Sequence, residues 1–350
     1  MSRIIIADIC SISVANQSTG HYFAVAQNYL DMFKNSEDVW VAGGPIYNQR
    51  FASRLIRLPY NFVSGDSKMV EKWHELMNCR ALCNKVAKDD ILIMQSVALV
   101  TAFVGLTLFL HKPCRLFFIQ YNTESINSPL KKLLWKIVQS KVRGNICTFS
   151  TVAQAYGKPY VIVPDYIYTK ENQDSFLSFS ERDYDICMLG HIYRDKGVVE
   201  ALRYLKGNGL KIVVAGKLGE PDLESELKDI TQTDKMIDLR LGYITENAYH
   251  ALMANSKYCM LNYRGRYNEH SSGVIYDALF HGTPVLATNT KSTKMVKEYG
   301  LGICFDNVNN LDITKLSDVS AYETFLSQIQ HYLQDQRKKI EQLSDFLHHI

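Results

Sequence analysis

The sequence has no C-x-x-C pair among its eight cysteines, which stand at positions 10, 79, 83, 114, 147, 187, 259 and 304. This excludes the common zinc and dithiol motifs, and although Cys79 and Cys83 fall on one helical face, two ligands do not make a zinc site. All eight are expected to be reduced thiols. Long apolar runs are also missing. The longest, Val97 to Leu110, has 14 residues and includes Thr101, Gly105 and Thr107, against roughly 20 for a bilayer span. It predicts a buried helix after a strand at Ile91 to Met94. The apolar run at Ile4 is only a strand long, so no signal peptide is expected and the cytoplasm is the expected compartment. Charge of one sign is scarce, and a net charge of +3 gives no reason to expect nucleic acid as a partner. No G-x-G-x-x-G occurs, which removes the dinucleotide fingerprint.

What is present is an ordinary globular composition, 47% hydrophobic and 21% charged over 350 residues, enough for two medium domains. In the first half, apolar strand candidates at Ile4 to Ala7, Val39 to Ala42, Ile91 to Met94, Leu116 to Ile119, Ile146 to Phe149 and Val161 to Val163 mostly precede helical patterns. That alternation predicts a doubly wound α/β sheet. The polar stretch after Val163-Pro164-Asp165 has no periodic apolar face and predicts a linker. The expected division is a first Rossmann-like domain over 1–165, a linker over 166–183, a second Rossmann-like domain over 184–320 and a terminal helix over 321–350. A ligand is expected in the cleft between the domains.

The most informative stretch is Lys257 to Thr288, which reads as strand, loop, helix, strand. Such a β-α-β unit belongs to a parallel sheet, whose ligands sit beyond the carboxyl ends of the strands. The loop from Arg264 to Ser272 falls there, with Ser271 and Ser272 expected to cap the helix. Glu269 and Asp277 flank that helix start, seven residues apart. Helix N–H groups attract phosphate oxygens, and carboxylates accept hydrogen bonds from sugar hydroxyls. Together they suggest a nucleotide sugar.

Glu269, seven residues, Asp277, then Ala278-Leu279-Phe280-His281-Gly282-Thr283-Pro284-Val285 resembles the donor site of retaining GT-B glycosyltransferases of family 4, whose signature has Glu at both acidic positions. The resemblance implies two doubly wound domains with a C-terminal helix crossing back, and transfer of a sugar from a nucleotide-diphosphate donor to an acceptor hydroxyl with retention. It implies that Glu269 orients the sugar, that the amides of Ser272, Gly273 and Val274 hold phosphate, and that Asp277 grips the ribose. No cofactor beyond the donor, and no metal, is expected. The one Asp-x-Asp match, Asp183-Tyr184-Asp185, precedes a strand, whereas a metal site needs a strand end.

Other segments fit the same pattern. Gly190, then Lys196-Gly197 before a helix, are expected to make a diphosphate clamp, with Lys196 as a solvated helix-start lysine the alternative. The family's arginine after the glycine is replaced by His191, and Arg194 is the expected substitute because it stays protonated. Lys217 follows the next strand as a phosphate ligand or a solvated turn residue, and Tyr243 and Ile244 stand where the family contacts the base. His21, after Ser18-Thr19-Gly20, either serves phosphate or acceptor, or packs a helix. Gln120, Tyr121, Asn122 and Glu124 are an acceptor lining or a polar loop. Pro129 to Arg143 is a basic amphipathic helix with Trp135, an ordinary surface helix or a peripheral membrane contact. By analogy the acceptor is a glycan or lipid-linked glycan of a bacterial surface polysaccharide, met at the inner face of the membrane. Two alternatives remain at this stage, an epimerase or phosphorylase of the same fold and a non-catalytic sugar-nucleotide binder.

Overall fold

The structure is a computed structural model that describes residues 3–12, 16, 18, 21–33, 38–63, 65–95, 100–148, 150–157, 159–163, 176–268 and 272–350, with backbone alone at 21, 337 and 340. The chain divides into two compact units, Met1–Thr169 with Gln336–Ile350, and Lys170–Asp335.

The first unit carries strands β1 (Arg3–Ala7), β2 (Asp38–Gly43), β3 (Leu55–Arg57), β4 (Ile91–Met94), β5 (Arg115–Gln120), β6 (Val142–Cys147) and β7 (Tyr160–Ile162). They form one parallel sheet in the order β3-β2-β1-β4-β5-β6-β7. Side chains alternate in period two. Ile5, Ala7, Leu92, Met94, Leu116 and Phe118 face one buried core, and Ile4, Ile6, Ile91, Ile93, Phe117 and Ile119 the other. Both faces are covered, as parallel sheets require.

Of the helices, α1 (His21–Phe33), the short α2 (Asn48–Phe51) and the end of the chain supply the second core, while α3 (Lys68–Lys85), α4 (Val100–Phe109), α5 (Pro129–Gln139) and α6 (Ser150–Tyr156) cover the first. The expected buried helix is α4. In α5, Trp135 is 5% exposed and packs on Phe103, Phe118 and Tyr156. It therefore cannot be the interfacial anchor that the sequence suggested, because its ring fills the core. Lys141 also turns inward, donating to the carbonyls of Leu106, Thr107 and Leu110 at the end of α4.

The second unit repeats the plan. Strands β8 (Tyr184–Leu189), β9 (Ile212–Gly216), β10 (Ile237–Leu241), β11 (Ser256–Leu261), β12 (Val285–Thr288) and β13 (Gly302–Phe305) form a parallel sheet in the order β10-β9-β8-β11-β12-β13. Helices α7 (Val198–Leu205) and α8 (Leu223–Gln232) cover one face; α9 (Glu246–Ala254), α10 (Gly273–Phe280) and α11 (Lys294–Glu298) cover the other. The last helix, α12 (Val319–His349), gives Tyr322, Ile329 and Tyr332 to the cores of the second unit and Leu343, Phe346 and Leu347 to a core of the first. Phe346 lies 5.6 Å from the Phe117 ring.

Both sheets reverse direction of growth beside their first strand, between β1 and β4 and between β8 and β11. At such switch points, neighbouring loops leave in opposite directions and open a crevice at the carboxyl edge.

Candidate active site

The crevice of the second unit is built on glycines. β8, β9 and β10 end at Gly190, Gly216 and Gly242, with φ of 97°, 151° and 123°. These are backbone conformations that side chains resist. Gly190 donates to Ala215 O at 3.0 Å and Gly242 to Gly216 O at 2.9 Å, which extends the sheet past its regular ends. A Cβ on Gly216 would collide with the carbonyl oxygen of Gly190. Gly216→Ala is expected to destabilise the protein by about 1–3 kcal/mol through strain alone, read as a lower urea midpoint at unchanged slope.

Around Gly190 the described side chains converge. A Cβ there would stand 3.7 Å from Lys196 Nζ and 3.8 Å from Val274 Cγ2. The end of β8, the turn before α7 and the start of α10 thus meet at one point. Gly197, at φ 64°, makes this possible, because it packs against Asn262 after β11 and accepts its amide hydrogen at 2.9 Å. Lys196 is partly covered along its stem, with its amine 5.4 Å from the Tyr267 ring. Burial, aided by the Arg266 charge, lowers its pKa to about 8. No carboxylate pairs with it among the described residues. An ammonium held this way is poised for an anion from outside.

His191 and Lys217 join this group. Burial first, then the charges of Lys196 and Lys217, push the His191 imidazole below its ordinary pKa, so at neutral pH it offers a neutral N–H. The two loops are laced by Ile192 N to Lys217 O and Gly219 N to Ile192 O, each 2.8 Å. Arg194 points elsewhere. Its guanidinium is held by Asp222 at 2.6 Å, Glu226 at 2.8 Å and Glu220 at 3.8 Å. The cation beside Gly190 is Lys196.

The α10 side of the site differs from the expected cap. Ser272 occupies the N-cap position without a side-chain capping bond. Its hydroxyl is 2.6 Å from the buried Tyr263 phenol, which needs a partner more than the helix end does. The first-turn amides of Gly273 and Val274 are therefore left uncapped by serine, which suits an anion. Asp277, one turn on, accepts from Tyr249 Oη at 2.9 Å. Its charge and that of Lys196 act in opposite senses on the buried Cys259 thiol of β11. Tyr243 is exposed, and Ile244 packs on the core beneath it. Glu269 and Ser271 lie outside the described residues, as does the side chain of His21, which opens α1.

Sequence reasoning missed Arg266 and the tyrosines. Arg266 lies 4.4 Å over Tyr193, 5.4 Å from the Tyr267 ring and 3.6 Å from Asp195 Oδ2. The Arg264-Gly-Arg-Tyr267 run was the available signal. On the first unit's crevice it also missed Gln95, which directly follows β4, is 1% exposed and has neither amide atom bonded among the described residues. Gln120, one strand over, is buried and bonded to Asn145 at 3.2 Å.

Two doubly wound units with a C-terminal helix define the GT-B class. Solved structures share this fold across the whole chain. One is described as E. coli trehalose-6-phosphate bound with UDP-2-fluoro glucose (10% identity, 99% of each chain, TM-score 0.70). A second is Anabaena HepE with UDP and glucose (12%, 100% of each, 0.69). A third is AviGT4, a glycosyltransferase involved in avilamycin A biosynthesis (12%, 100% of this chain and 99% of that one, 0.62). Residues 169–318 match the family model described as glycosyl transferases group 1, and this domain marks the protein as a glycosyltransferase. No curated protein sequence matches.

Proposed function

We propose that the protein transfers a sugar from a nucleotide-diphosphate donor to an acceptor hydroxyl with retention of the anomeric configuration. The observation that carries this reading is the meeting of the Lys196 amine, the side-chain-free turn at Gly190 and the uncapped first turn of α10. A diphosphate fits there, neutralised by Lys196 and received by the amides of Ser272, Gly273 and Val274, with His191 and Lys217 at its edge. Asp277, already oriented by Tyr249, takes the ribose hydroxyls. Glu269 holds the sugar. Tyr243 and Ile244 flank the base.

No nucleophile pair is needed in this mechanism. As the bond between sugar and diphosphate lengthens, the departing phosphate oxygen takes the proton of the acceptor hydroxyl on the same face, and that hydroxyl oxygen bonds the anomeric carbon. The protein stabilises charge on the diphosphate and fixes the geometry. On the first unit, Gln95 offers a buried amide with no bond among the described residues, which we assign to an acceptor hydroxyl. The acceptor is a glycan or lipid-linked glycan of a surface polysaccharide. No helix among the described residues is long and apolar enough to cross a membrane. Membrane contact falls to the outer face of α5, where Leu130, Leu133 and Ile137 are exposed beside Lys132 and Lys136.

A thermal-shift panel of nucleotide sugars, started with UDP-sugars because two similar structures hold UDP or a UDP-sugar analogue, followed by transfer assays, tests the reading. A panel in which no nucleotide sugar stabilises the protein sinks it. Asp277→Asn is expected to weaken donor binding about tenfold with kcat little changed, as loss of one charged hydrogen bond predicts, whereas Glu269→Ala is expected to abolish most turnover. Transfer is expected to persist in excess chelator, because Lys196 and helix amides carry the diphosphate charge. Loss of activity restored by a divalent ion would reject that part.

A further inference from the structure

The far edge of the first sheet holds a second site of different chemistry. A pocket of about 610 Å³ opens where the chain enters β5 and β6, lined by His111, Lys112, Arg115, Lys141 and Arg143. This is the amino edge, opposite the crevice at Gln95, and every donor-site residue named above belongs to the other unit.

Its cations face no acidic side chain in the lining. The neighbouring acid, Asp90, whose carbonyl accepts from Arg115 N, has its carboxylate paired with Arg3 at 2.6 Å. Lys141 commits its amine to three carbonyls at 3.1, 3.0 and 2.8 Å. It thereby offsets the negative end of α4 without supplying a donor to the pocket. Lys112 is likewise bonded to the carbonyls of Asn84 and Val86. Arg115 spends one nitrogen on His348 O at 3.4 Å. The Arg143 guanidinium has no partner among the described residues. Two guanidinium forks, one whole and one mostly open, therefore line a space in which no acidic side chain stands among the described lining residues, and such forks match the bidentate geometry of a phosphate group.

We propose that this pocket binds a phosphate monoester, either free in solution or as the headgroup of an anionic lipid. The lipid source has its own support on the page. Lys141 ties the end of α4 to the turn after α5, and these helices expose Leu108 at 53%, Leu133 at 56% and Ile137 at 45%.

The test compares the full chain with Arg143→Ala, Arg115→Ala, Leu133→Ser/Ile137→Ser and, as a control outside the pocket, Lys132→Ala. Inorganic phosphate is titrated calorimetrically, and vesicles of phosphatidylcholine with or without phosphatidic acid are sedimented with each protein. The proposal expects binding that falls at least tenfold in Arg143→Ala, with an unchanged thermal midpoint because Arg143 is exposed, and less than twofold in Lys132→Ala. Arg115→Ala should fall in the same direction. Phosphate binding untouched by the serine pair identifies a free ligand; binding seen only on phosphatidic acid vesicles and lost in the serine pair identifies the lipid. Failure to bind either probe, or equal binding by Arg143→Ala and the parent, overturns the proposal.

Discussion

Replacing Lys196 with methionine is expected to lower turnover by about 100- to 1,000-fold, the usual loss when one preorganised charge is removed from a developing anion. The same change is expected to raise the stability of the unliganded protein by on the order of 1 kcal/mol, a few degrees in thermal midpoint. The two effects share a cause. The amine sits beside Gly190 and Tyr267 with no carboxylate partner among the described residues, and desolvation lowers its pKa to about 8. Its charge is a cost until a diphosphate arrives. Because the folded pKa is below that of an ordinary lysine, the unfolded chain binds more protons between about pH 8 and 10.5. Stability from this group therefore rises with pH across that window, and below pH 8 the penalty is constant. Donor affinity has the opposite dependence. It should be flat below pH 8 and decline above it, by at most tenfold per pH unit. Lys196→Arg should abolish the break. Isothermal titration with the best donor from pH 7 to 9.5 measures this directly, and a pH-independent affinity in the parent would remove Lys196 from the phosphate site.

That site was partly readable in the sequence, and the reason for the division is physical. Strand periodicity placed β4 with the bounds the structure has, because a short run buried on both faces is apolar throughout. The crossover at α10 was equally plain. α3 escaped the reading since its outward face exposes Met69 and Trp73 while it buries Glu75 and Asn78, which blurs an amphipathic pattern. β3, three residues long, offers too short a period. Charge assignment was the harder problem. Permanent charge favoured Arg194, but the direction of each side chain is set by the left-handed turn at Gly197 and by three acids near α8, which are distant in sequence. Ser272 shows the same limit. Its hydroxyl was expected to serve the helix, and a tyrosine nine residues upstream takes it.

Arg182 extends this point to stability, since it stands in a polar stretch that reads as linker. Its guanidinium is 5% exposed as a residue and pairs with no acid among the described residues. It donates instead to Leu177 O, Ala254 O, Ser256 O, Gly282 O and Thr283 Oγ1, at 3.2, 2.9, 2.8, 2.7 and 2.9 Å. These acceptors come from the approach to β8, the α9–β11 connection and the α10–β12 turn. One side chain thus fastens three connections at the edge opposite the donor site. Burial lowers its pKa, but a guanidinium remains charged across the physiological range. Arg182→Met preserves much of the volume and leaves the acceptors buried without a donor. The expected destabilisation is about 3–5 kcal/mol, or on the order of 10 °C in the thermal midpoint of the second unit. Arg182→Lys should recover only part, because one ammonium cannot span acceptors arranged for a planar fork. A donor affinity within about twofold of the parent, measured well below the variant's midpoint, separates a fastening role from a part in the site. If Arg182→Met melts within 2 °C of the parent, the carbonyls find water instead and the fastening role is rejected.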